Sequence, residues 1–324
     1  MTVSREDLEA AIESLRRDVG DPRAGLFGPE SVSWRVDREA INFLCGGRAA
    51  LLQLAHPFVA HAIDQHSDTR RDPLRRFKRT FAFVYSMIFS DMEQAFAAAR
   101  RVHKIHVHIT GAIRETIGDY EEGTPYEAND EEALCWVYAT LHDSAVLAHE
   151  LVVGPLSFAD KDRYLVESHR FARLFGVPDR LLHHRWEDFV AYNERMWREL
   201  PVGEPAREMA GFLFRAPHPS LEPVARWYRM MTSELLPPPV RVGFGWRSTR
   251  ADRLAFAASL RALRLSYRAV PSRLREVPAY SHAKRRLAGK PGKDRWAAWL
   301  ERRFIDTSVL AATRAAATRA TDAP

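Results

Sequence analysis

Apolar residues recur at three- and four-residue intervals along nearly every long segment of this 324-residue chain, and no stretch alternates apolar and polar residues in a sustained way. That period restricts the fold to an all-α architecture in which helices bury their apolar stripes against one another. Caps and breakers set the expected limits. Ser4 with Asp7 forms a capping-box start to a first helix that Gly20 and Pro22 end, and a loop runs on to about Glu30. Residues 38–65 read as helix, with breaks or close backbone contacts at Gly46, Gly47 and Pro57. Asp72 and Pro73 open a helix reaching Phe89, and another is predicted from Asp91 to about Ile117. A turn-rich loop at 118–130 follows, and Asn129 or Asp130 caps a helix covering Leu134–Leu151. Further helices are expected from Ser157 to Leu174, Trp186 to Arg198, Leu221 to Leu235, around Asp252 to Tyr267 and around Asp294 to Thr307. Residues 311–324 carry few large apolar groups and are expected to fray.

Neither an internal repeat nor a low-complexity linker interrupts residues 30–275. The economical division is an N-terminal helix and loop (1–30), one helical domain (31–275) and a C-terminal helical extension (276–324).

A composition of 46% apolar and 28% charged residues excludes a disordered or fibrous chain. Lys and Arg exceed Asp and Glu by 48 to 42, a margin too small to argue for nucleic acid. The first twenty residues lack the apolar core of a signal peptide, and Phe81–Phe89 has about half the length needed to cross a bilayer. The reading is a soluble, cytoplasmic protein without a transmembrane segment, with docking on a membrane surface left open. Cys45 and Cys135 fall in apolar stretches and form no CxxC pair, which fits a reducing compartment and excludes a disulfide scaffold or cysteine zinc site.

The common nucleotide-binding, serine-hydrolase and zincin signatures are missing, and no pair of Glu-x-x-His motifs exists for a di-iron site. Histidine is the conspicuous residue, 13 in all. His103, His106 and His108 are clustered, but 108 turns about 200° away from 106 on a helix, so the segment offers one ligand rather than three. His56, His61 and His66, spaced by five, scatter around a helix, and solvated or capping roles account for most of the histidines. Arg76, Arg79 and Thr80 line one helical face just before the apolar run. Spacing leaves two readings open: a solvated basic turn, or guanidiniums that face an apolar cavity and take an anionic ligand group.

At 46–67, GGRAALLQLAHPFVAHAIDQHS resembles the family named after the fungal oxygenase MpaB and the bacterial rubber oxygenase, latex clearing protein. Its G-x-RALLLQ-AHP block is matched by Gly47, Arg48, Ala49, Leu51, Leu52, Gln53, His56 and Pro57, with Val59, His66 and Ser67 following and Ala62 where glycine is usual. The R-x-x-RT block is matched by Arg76, Arg79 and Thr80, and the I-H-x-x-V-x-G block by Ile105, His106, Ile109 and Gly111. A fourth block runs from Tyr126 to Leu141, with Tyr138 replacing the histidine of WVHATL.

The resemblance implies a single globin-like multi-helix domain with a pocket for haem b, with His106 as the iron ligand and Arg76 and Thr80 near the haem. The rubber-cleaving branch has a lysine where this chain has Arg79, and a guanidinium cannot act as a deprotonated amine ligand. Arg76 would suit a haem propionate. The implied activity is that of a haem-dependent oxygenase taking dioxygen and an apolar, isoprenoid-like substrate. A haem-binding sensor or carrier, and a helical scaffold that has lost the cofactor, are the alternatives; Tyr138 bears on the last, since the chain must do without that histidine or use the phenol.

Overall fold

The computed structural model describes residues 1–67, 70–290, 294–304 and 307–321. The described residues form an all-α protein with one small two-stranded sheet. The N-terminal helix α1 (Arg5–Asp18) starts on the expected capping box, with Ser4 N donating to Asp7 Oδ2 (2.9 Å) and Asp7 N to Ser4 Oγ (3.1 Å). Helix α2 (Val32–Asp37) and a 3₁₀ turn (Ala40–Cys45) lead into α3 (Gly46–Leu54) and α4 (Pro57–His66). The break between α3 and α4 falls at Pro57, which occupies a first-turn position, and His56 caps α4 by accepting from Phe58 N (3.2 Å). Helices α5 (Pro73–Phe89) and α6 (Met92–His106) start on the Asp72 and Asp91 carboxylates.

Helix α6 stops eleven residues short of the Ile117 expected from periodicity. The next residues, Val107, Ile109, Thr110 and Ile113, are β-branched and interrupted by Gly111, a composition that favours extended backbone. They form β1 (Thr110–Ala112), antiparallel to β2 (Pro125–Glu127) in the register Gly111↔Tyr126. Gly111 is required by close approach, because a Cβ there would lie 2.7 Å from both the Tyr126 hydroxyl and Gln65 Oε1.

The central helix is α7 (Glu131–Val152), capped by Asp130. It packs against the 3₁₀ turn, α2, α3 and α8 (Phe158–Phe175), and against α9 (Trp186–Glu199). Apolar residues surround α7 almost completely, as burial on most sides requires. Trp136, fully buried on α7, donates its indole N–H to Leu52 O (2.8 Å), and Trp34 on α2 donates to Ile88 O (3.0 Å), so neither large ring leaves a donor unsatisfied. Gly176 ends α8 in the left-handed region at φ 97°, as its position after the last apolar residue anticipates.

Helix α10 (Glu204–Leu213) is not legible in the sequence pattern, being short and opened by proline; it covers α3 and α4. Helices α11 (Glu222–Leu235), α12 (Pro238–Gly243), α13 (Arg250–Ala269), α14 (Ser272–Arg275) and α15 (Pro278–Leu287) complete the body, α11 and α13 packing on one another. The segment expected around 294–307 is α16 (Arg295–Phe304), and 305–306 lie outside the described residues. The C-terminal stretch does not fray through 321: α17 (Thr307–Thr321) lies against α5 and α6, burying Val309, Thr313 and Ala317 at four-residue intervals. Alanines permit that close approach, which counting large apolar groups overlooks. Residues 322–324 lie outside the described residues.

Candidate functional site

A cavity of about 370 Å³ opens among α4, α5, α6, α7 and α8. Its size is that of a pocket for a small molecule or cofactor. The four candidate site residues line it: Arg76, Arg79 and Thr80 from α5, and His106 from the last turn of α6. The apolar wall includes Ile63, Phe83 and Met87, with Val137 and Leu141 one turn apart on α7 and Phe171 and Phe175 from α8. The two phenylalanine rings stack with centroids 5.9 Å apart and a 22° interplanar angle.

His106 is surrounded by protein atoms yet keeps part of its surface accessible, because it faces this cavity. Burial is the main reason its pKa falls to about 4, and His103, Arg76 and Arg79 add to the fall while the Asn129 side chain opposes it. The imidazole is therefore neutral at ordinary pH. Its Nδ1 is buried without a hydrogen-bond partner among the described residues. That nitrogen has no accessible surface, so a ligand in the cavity would meet another part of the His106 ring. Its ring meets Phe175 edge-on, centroids 5.9 Å apart.

The arginines of α5 differ in setting. Arg75 and Arg79 are exposed and also line the cavity, whereas Arg76 is half-buried within it. Burial, with the charge of Arg79, lowers the Arg76 pKa to about 10, so it remains cationic at neutral pH. Thr80 lines both this cavity and a smaller one of about 60 Å³, which shares Gln53, Ile63, Arg76 and Leu141 with it. The smaller space has room for a few waters or a diatomic molecule. Gln53, which the sequence marks only as part of a motif, donates from Nε2 to Thr140 Oγ1 (3.1 Å) and so fixes α3 against α7 at the junction of the two cavities.

The other histidines do not converge on His106. His103 Nε2 lies 3.1 Å from Val3 O, His108 is exposed beyond the end of α6, and His66 lines the cavity with Nε2 2.9 Å from Thr110 O. His61 and His142 are buried rather than solvated, with Nδ1 bound to Pro57 O and Tyr138 O, both at 2.9 Å. No cluster of three His, Cys, Asp or Glu side chains able to hold a metal occurs among the described residues. Cys45 and Cys135 are buried free thiols, and burial raises both pKa values, to about 12 and about 11.

Tyr138 is not among the cavity-lining residues. It is buried with its hydroxyl 2.7 Å from Ser168 Oγ, so the phenol is engaged between α7 and α8. Arg48 is likewise structural: it donates to Leu235 O (3.0 Å) and Ser144 Oγ (2.7 Å) and pairs with Asp143 (2.7 Å). Gly47 donates to the Tyr228 hydroxyl (2.7 Å), and a Cβ there would lie 2.5 Å from Thr232 Oγ1.

The described residues thus form an all-α body enclosing a cavity with an apolar wall, a neutral His106 and a cationic side from the arginines of α5. The chain belongs to the family described as the ER-bound oxygenase mpaB/B'/rubber oxygenase catalytic domain, whose model matches residues 34–265. The match covers all the helices that line the cavity, from α3 to α8. The chain is also similar to two uncharacterized mycobacterial proteins, Mb2261 of Mycobacterium bovis and Rv2237 of Mycobacterium tuberculosis. Each is 25% identical over 236 residues, covering 69% of this chain and 88% of the relative. No solved structure matches the chain.

Proposed function

We propose that the protein is a haem b-dependent oxygenase that uses dioxygen on an apolar, isoprenoid-like substrate, with His106 as the iron ligand. Membership of an oxygenase family supports the class of reaction. The observation that carries the cofactor assignment is the neutral His106 imidazole, lining the same cavity as the arginines of α5. A single protein ligand would suit an iron that brings most of its own ligands with it, as haem does. The residues present therefore fit the group.

When bound, haem iron supplies dioxygen binding and activation. The chain supplies the rest. His106 offers a ring nitrogen that needs no deprotonation at neutral pH. Arg76, cationic in a setting of reduced dielectric, holds a carboxylate such as a propionate through its two-pronged donor geometry. Arg79 adds a second positive charge at the exposed side. The Thr80 hydroxyl, between the two cavities, orients a water or a small polar ligand. Phe83, Met87, Val137, Leu141 and Phe171 exclude water and present a surface for a hydrocarbon chain.

Measuring dioxygen consumption by haem-loaded protein, with unsaturated hydrocarbons of increasing length, tests this reading. Consumption that requires both haem and the hydrocarbon is the expected result. A stable haem complex with no hydrocarbon-dependent uptake would make the protein a haem carrier or sensor instead.

A further inference from the structure

The chain's excess positive charge is concentrated in one short segment. Residues 284–303 contain eight Lys and Arg against only Asp294 and Glu301, a net of +6, and the remaining 40 basic and 40 acidic residues of the chain cancel. The two acids are both committed to structure, as are Lys284, which pairs with Glu276 (2.6 Å) and brings the local net to +5, and Arg286, which donates to Arg23 O (2.7 Å) and Phe89 O (2.8 Å). Asp294 Oδ1 accepts from Trp296 N (2.9 Å) and Ala297 N (3.2 Å) at the start of α16. Glu301 is buried, its Oε1 3.5 Å from His282 Nε2 on α15. Ala297, buried and one turn before Glu301, shares that inward side.

The outward side of α16 carries Trp296 and Trp299, which are 44% and 49% exposed and stack with ring centroids 5.1 Å apart. Lys290 ahead of the helix and Arg302 within it are exposed. Two large indoles left in water cost free energy, and they gain most where an apolar and a polar phase meet. A short amphipathic helix that combines such rings with clustered positive charge carries both signals that stable surface binding needs. We propose that α16, with Arg302 on it and Lys290 ahead of it, docks the protein on an anionic phospholipid surface, with Trp296 and Trp299 entering the headgroup layer. This is lateral docking; no helix among the described residues is long and apolar enough to cross a membrane.

Charge decides between this occupant and others. A second copy meeting the same face would bring two like-charged segments, each about +5 after the Lys284–Glu276 pair, against one another. Nucleic acid would also satisfy the charge, but the indoles stack on each other at 20°, which takes one face of each ring out of reach of a base.

The test is cosedimentation of the full chain with phosphatidylcholine vesicles, with and without about 30% phosphatidylglycerol, at low and high salt. Wild type should sediment with the anionic vesicles only, and less at high salt. Lys290→Gln and Arg302→Gln should each weaken partitioning about fivefold, and together about 25-fold. Trp296→Ser/Trp299→Ser should abolish binding that survives moderate salt, while its thermal melt stays like wild type because both rings lie on the outward side. The proposal is overturned if wild type ignores anionic vesicles, if the variants bind as wild type does, or if the segment retards a single-stranded oligonucleotide while failing to bind lipid.

Discussion

The Tyr138 hydroxyl and Ser168 Oγ lie 2.7 Å apart in the buried contact between α7 and α8, and Ser168 passes the chain on to Leu165 O at 2.6 Å. The tyrosine thus sits at the position of the family's histidine without reaching the cavity. Tyr138→Phe should cost about 1 kcal/mol of stability, the usual net worth of one such hydrogen bond, and leave haem content and turnover at wild-type levels. Thermal denaturation and absorbance of the same preparation check both halves.

Arg76 separates the two readings of the RRFKRT segment. If its guanidinium holds an anionic group of the cofactor, Arg76→Ala should lower haem affinity by about 1–3 kcal/mol, roughly 5- to 150-fold. Arg76→Lys should recover only part of this, since an ammonium lacks the two-pronged geometry. Arg261→Ala, on an exposed position of α13, is the proper control. Arg100 would be a poor one, because it pairs with Glu9 at 2.6 Å and ties α1 to α6. Equal haem titrations for Arg76→Ala and Arg261→Ala would reduce the segment to a basic turn.

How far these assignments were legible in the sequence differs from residue to residue. The helical period and its caps located most helices because local signals, such as Asp72 before Pro73, coincide with tertiary burial. They failed at Ile117, where a β-branched run ended α6 early, and at α17, whose alanines pack through backbone proximity. Arg76, Arg79, Thr80 and His106 were chosen by motif, and the fold brings all four to one cavity. Their differing exposure was not readable, since it depends on how α5 is rotated against α6, α15 and α17. The most conspicuous motif residues, Gly47 and Arg48, hold the helices together instead of lining the cavity, and Gln53 at the cavity junction has no feature in sequence that distinguishes it from them.

Asp37 gives the protein a pH dependence of opposite sign to that of its buried histidines. Burial is the main cause that raises its pKa from the ordinary carboxylate range to about 7; Glu167 adds to the rise and the hydrogen bond from the Tyr164 hydroxyl (3.2 Å) opposes it. A folded-state pKa above the unfolded one means that stability is fully present below about 4 and is lost as pH rises through about 7. Asp37→Asn keeps an acceptor for Tyr164 but cannot ionise. Its unfolding free energy should match wild type near pH 4, exceed it increasingly up to about pH 7 by at most ~1.4 kcal/mol per pH unit, and then hold a constant lead. A pH-independent difference would contradict the assignment.

His56, His106 and His142 act the other way. Burial lowers each pKa to about 4, so the unfolded chain takes up protons that the folded chain does not. Stability from these groups is complete above about pH 6.5 and is lost as pH falls through about 4. With Asp37 replaced by Asn, melting temperature should rise steadily between those limits. A flat profile there would show that the histidines are not protected from protonation.

The central claim is that His106 holds haem iron, and a haem titration followed by Soret absorbance measures it most directly. Wild-type protein should saturate at stoichiometric haem b, non-covalently, because the chain has no CxxCH attachment motif. His103→Ala and His108→Ala should titrate like wild type, since one ring binds Val3 O and the other is exposed. His106→Ala should lose the spectrum or retain it only weakly. A His106→Ala spectrum indistinguishable from wild type, or loss of haem in His108→Ala instead, would contradict the account.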